Sequence, residues 1–197
     1  MRFISLCGAD NCSRHTALER THCRDFTNER FRRCELSDTT DHGEGGRGLA
    51  AEAQGLIRDA TRGVLSTLGP DGGFPHASII DLAPVDGGDV ITLLSALAVH
   101  RKYVEADDRA SILIAPFLGD DDAMMRPRVT LVGRLVREDD RDLYRDAYLA
   151  LHPEAEMYLK LPDFAFFRLR TERARYIAGF GRMGWLEGQE LRAGDAV

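Results

Sequence analysis

The chain of 197 residues is poor in lysine, with Lys102 and Lys160 standing alone among arginines, and it has one tryptophan, Trp185. Cysteine is missing after Cys34, so disulfides do not staple the rest of the chain, and a reducing cytoplasm is the expected compartment. No apolar run approaches the ~20 residues a membrane helix needs, and the short stretch around Phe3 and Leu6 is no secretory leader, so neither membrane insertion nor export is expected. The formal net charge of −6 argues against a general nucleic-acid binder, which places Lys and Arg where phosphates release counterions. A small-molecule partner fits better.

At 44% hydrophobic and 29% charged, the sequence reads as one globular core with appendages, since single cores stop growing only at roughly 250 residues. Residues 1–48 carry all four cysteines without helical or strand periodicity and end in the glycine-rich DHGEGGRG, a boundary signal. Eight basic and eight acidic residues cancel there, leaving 18 basic against 24 acidic in the remainder. The gaps C-x4-C, C-x10-C and C-x10-C match no paired-ligand spacing, so no metal site is expected in what reads as a disordered extension. Residues 49–185 read as the folded domain and 186–197 as a C-terminal tail.

Within the domain, Leu49, Ala53, Leu56, Ile57 and Ala60 recur at helical spacing and predict a first helix to about residue 61. Residues 64–68 and 77–82 flank the turn-rich GPDGG and predict a hairpin. Further strands are expected over 90–94, 109–116, 128–136, 164–170 and 174–180, with Gly133 marking a bulge or close packing. Helices are expected over 99–106 and 138–151, and Pro153 opens a further helical turn. The pattern of strands interrupted by three helices predicts an α+β, antiparallel barrel.

No glycine-rich phosphate loop, nucleophile elbow, HExxH helix or paired-cysteine site occurs in this domain, so chemistry borrowed from a cofactor is the economical enzyme hypothesis. The stretch SALAVHRKYV leaves a strand and enters a helix, so Ser95, free backbone N–H groups, His100, Arg101 and Lys102 can converge on one phosphate. The competing reading makes these residues the start of an exposed helix whose Glu105, Asp107 and Asp108 balance them.

The order GVLSTL, PHASII, VITLLS, HRKYV, RASILIAPF, RPRVTLVGRL and GFGRMGW resembles the pyridoxamine-phosphate-oxidase-like, FMN-binding split barrels, and within them the bacterial branch of haem-degrading and haem-binding proteins. The resemblance implies a six-stranded split β-barrel acting as a homodimer, with FMN sites built from both chains. It implies that His76, Ala77, Ser78 and Ile79 lie on the strand passing the flavin. Ser95 then meets the phosphate, His100 and Arg101 form its basic cluster, Arg128 contacts the flavin and Arg182 closes over the ring.

Two departures narrow the expectation. The C-terminal GFGRMGWLEGQELRAGDAV lacks the Trp- and Arg-rich motif of the vitamin B6 oxidases, and no histidine follows His152 to match the C-terminal iron ligand of haem-degrading relatives. The preferred expectation is an FMN-dependent oxidoreductase acting on a small molecule, its catalytic residues unassigned. The alternatives are a haem-binding or haem-degrading barrel and a non-catalytic dimeric binding module.

Overall fold

A computed structural model describes residues 44–116, 122–179 and 181–193. Most of the expected N-terminal extension therefore lies outside the described residues. Helix α1 (Glu44–Arg58) begins five residues before Leu49 and turns Ala50, Ala53 and Ile57 onto the core, three positions on one helical face. Strands β1 (Arg62–Leu68) and β2 (Pro75–Asp81) form the expected hairpin, with Val64 opposite Ile79 and Thr67 opposite His76. Its turn closes with Gly69 N–H donating to Phe74 O at 2.8 Å, and the positive φ of Gly72 (79°) and Gly73 (72°) is a conformation that β-carbons disfavour.

The remaining strands are β3 (Ala83–Pro84), β4 (Val90–Ser95), β5 (Arg109–Ile114), β6 (Arg128–Arg137), β7 (Phe164–Gly179) and β8 (Arg182–Glu187). All pairings are antiparallel, in the order β2-β1-β5-β6-β7-β4-β3, with β8 on the second half of β7. The sheet curls so that its split falls between β2 and β4, bridged where Thr92 Oγ1 donates to Asp81 O at 2.7 Å. Leu65, Ile112, Leu131 and Leu169 fill the curl, each contributing about 1.5–3 kcal/mol through burial. A smaller cluster of Ile91, Tyr148, Ala155 and Phe166 lies beneath α3 (Arg145–Leu151).

Three elements differ from expectation. The two closing strands are one, because the polar interruption at Thr171 is where β7 exchanges β4 for β8 while its ladder with β6 continues. Asp89 anchors that exchange, accepting from Thr171 N–H at 2.8 Å and Arg168 Nε at 2.8 Å. The helix expected over 138–151 shortens to Arg145–Leu151, because the Asp140 carboxylate takes the N–H groups of Asp142 and Leu143 and offers the backbone a turn instead. Residues read as a tail complete β8 and form α5 (Gly188–Ala193), whose Leu191 is fully buried against α1. The other helices are α2 (Val99–Ala106) and α4 (Glu156–Leu159), the latter following a 3-10 turn at Pro153–Ala155. Among the described residues no helix is long and apolar enough to cross a membrane.

Candidate functional site

Edge strand β2 carries the centre of the expected site. Alternation puts His76, Ser78 and Ile80 on the inner face and turns Ile79 outward, where it is 72% exposed. Helix α2 packs behind β1 and β2, so two motifs distant in sequence meet: Ser78 Oγ and His100 Nδ1 are hydrogen-bonded at 3.0 Å. His76 stacks edge-on against Tyr103, ring centroids 5.6 Å apart. Burial, and then the nearby His76, hold the His100 imidazole below its ordinary pKa, which favours the neutral ring.

Two hollows adjoin Ile79. A cleft of about 630 Å³ has apolar walls from Leu56, Val64, Leu113 and Ile114, with Arg62 on its lining. A groove of about 260 Å³ in the barrel split brings Ser95, His100, Asp81, Tyr148 and Glu154 together. Tyr148 is pushed well above its usual pKa by burial and then by the Asp81 carboxylate, so it stays a neutral donor, bonded to Asp81 O at 3.4 Å.

The basic cluster expected to hold a phosphate takes a different form. Arg101 is only 7% exposed; its Nη1 donates to Leu94 O at 3.1 Å and Asp163 O at 2.6 Å, and its Nε to Glu105 at 2.9 Å. Its guanidinium also lies over the Phe167 ring, 5.4 Å from the centroid. The side chain thus ties α2 to β4 and to the approach to β7. Ser95 lines the groove, but its hydroxyl donates to Asp163 Oδ2 at 2.9 Å and accepts from Leu97 N–H.

Arg128 and Arg182 stand apart from this cluster. Arg128 bonds Met124 O at 2.9 Å, closing a turn before β6, and Arg182 pairs with Glu52 of α1 at 2.6 Å, where Tyr176 also donates. Sequence reasoning missed Asp163, Tyr103 and Tyr148, which reach their partners only through the fold. The Arg101–Glu105 pair alone had a local signal, its spacing of four along α2.

An antiparallel, curled sheet flanked by helices, with a groove at its split, is the architecture of the pyridoxamine-phosphate-oxidase-like split barrels. The chain belongs to the CREG β-barrel family, whose model matches residues 47–192. It is 36% identical over 131 residues to the chloroplast haem oxygenase HOZ of Arabidopsis thaliana, covering 65% of this chain and 40% of that protein. Among solved structures, it is similar to a haem-binding protein from Mycobacterium smegmatis at 32% identity and TM-score 0.68, covering 74% of this chain and 60% of that one. A putative pyridoxamine 5′-phosphate oxidase from Listeria innocua matches at 19% identity and TM-score 0.53, over 66% of this chain and 98% of that one, and shows the fold alone. The chain thus spans about two fifths of the length of HOZ and three fifths of the mycobacterial protein.

Proposed function

We propose that this chain is a haem-binding split barrel. The observation that carries the reading is the apolar cleft beside Ile79 with the Arg62 guanidinium on its lining, which suits a broad apolar ring bearing carboxylates. Ile79 stands between Ser78, which bonds His100, and Asp81, which pairs with Arg62 at 2.9 Å. A neutral, oriented imidazole is the form that ligates a metal; His100 lines the neighbouring groove, on the other side of Ile79, and with its ring fixed by Ser78 it would hold the iron of a haem that reached from the cleft into that groove. When bound, haem supplies a redox-active iron. This chain's residues supply an apolar wall, an imidazole and a cation for the carboxylates.

The FMN reading loses its phosphate anchor, because the Arg101 guanidinium is spent on Leu94, Asp163 and Glu105. Two named relatives above 30% identity, one a haem oxygenase and one a haem-binding protein, support haem in its place. The homodimer implied by the resemblance stays within the proposal, supported by the free edge of β2 with Ile79 exposed upon it and Phe74 exposed in the turn before it.

The test is absorbance titration of the purified protein with haem and, separately, with FMN. A saturable Soret band is expected, weakened at least tenfold in affinity by Ile79→Glu and shifted in position by His100→Ala. Saturable FMN binding with no Soret response would overturn the proposal and restore the flavin reading.

A further inference from the structure

The groove that His100 lines also carries Asp81 and Glu154, and with His152 they bring one imidazole and two carboxylates together, ligand atoms all within 4.8 Å of one another. Asp81 ends β2, His152 follows α3 and Glu154 sits in the 3-10 turn, so the cluster joins the two sides of the barrel split.

The chemistry of His152 sets this cluster apart from a chance gathering of surface acids. Its side chain is 5% exposed, and Nε2 stands 2.9 Å from Leu82 O. A carbonyl can only accept, so Nε2 carries a proton and Nδ1 is the ring nitrogen that faces the cluster, the one a cation would displace a proton from or bind directly. Glu154 Oε1 stands 3.7 Å from Nδ1, beyond hydrogen-bond reach. Two ligands on a tetrahedral zinc lie roughly 3.3 Å apart, so a small movement of the exposed Glu154 side chain closes that pair on a cation. An imidazole whose other nitrogen donates to a backbone carbonyl is the outer-shell arrangement that orients metal-ligating histidines.

We propose that Asp81, His152 and Glu154 hold a divalent transition-metal cation of the zinc kind. Asp81 gives Oδ1 to Arg62 and keeps Oδ2 for the metal. Asp81 and Glu154 both line the groove of about 260 Å³, so a fourth position opens towards it, as in sites that keep room for water or a small anion. Mixed imidazole and carboxylate donors suit zinc, cobalt or manganese better than soft, thiolate-seeking metals.

The full chain, stripped with chelator and kept free of haem, is titrated with Zn²⁺ by calorimetry and with Mn²⁺ by electron paramagnetic resonance. Glu154→Gln and Asp81→Asn are compared with the unaltered protein, because both side chains are partly solvent-exposed and neither holds the core. The cysteines of the N-terminal residues are common to all three proteins, so zinc they take cancels in the comparison. The expected result is one site weakened at least tenfold by each substitution for both ions. Identical isotherms in all three proteins would overturn the site.

Discussion

Thr67 and His76 face each other across the β1–β2 hairpin, and each buries a polar atom, Oγ1 and Nδ1, that finds no hydrogen-bond partner among the described residues. An unsatisfied buried hydroxyl costs about 1–3 kcal/mol, whereas removing it with shape retained is neutral or stabilising. Thr67→Val is therefore expected to raise stability by about 1 kcal/mol, read as a higher urea midpoint at unchanged slope. A lower midpoint would mean that the hydroxyl is satisfied in solution.

His100 gives the protein a pH dependence whose sign follows from its depressed pKa. The folded state resists protonating this ring, while the unfolded chain protonates it at the ordinary 6.5. Stability contributed by the neutral ring is fully present above that value and declines as pH falls from it towards the lower folded pKa. Urea midpoints between about pH 7.5 and about pH 5 should fall, and His100→Gln should flatten the fall. An unchanged slope in the variant would assign the effect to other groups.

Arg101 is expected to act through the fold. Arg101→Met strands the carbonyls of Leu94 and Asp163 and unpairs Glu105, which should cost about 3 kcal/mol, measured as a lowered thermal midpoint. Haem affinity measured well below that midpoint should be unchanged. A stable variant with lost cofactor binding would return Arg101 to the ligand site.

Much of the fold was legible because β alternation and turn chemistry are local. The hairpin over Val64 and Ile79 needed only GPDGG between two apolar runs, and Gly133 announced a bulge that now has a steric cause: a β-carbon there would stand 2.0 Å from Arg170 O. The continuity of β7 was hidden because its middle residues are polar, and that polarity serves a change of partner strand. Leu191 of α5 was hidden because a helix of six residues carries too little periodicity to register.

The site was legible as a set of segments and illegible as contacts. Ser78 and His100 were both singled out, yet their bond depends on α2 folding back over the hairpin. Arg101 was expected in a phosphate cluster because its neighbours are basic, and in the fold its guanidinium bonds Leu94, Asp163 and Glu105, partners that its local sequence discloses only for Glu105. Asp81 and His152 share no spacing rule, since only the packing of the α3 segment against the sheet brings the end of β2 to the end of that helix.

The 16 residues of β7 are bonded to β6 along most of their length, to β4 in the first half and to β8 in the second. Amide hydrogens with neighbours on both flanks exchange only when the whole structure opens. Isotope labelling should thus find residues 167–169 and 174–176 protected to the same degree. The barrel would then have one melting event, and a ligand gripping either hollow would slow exchange along the entire strand.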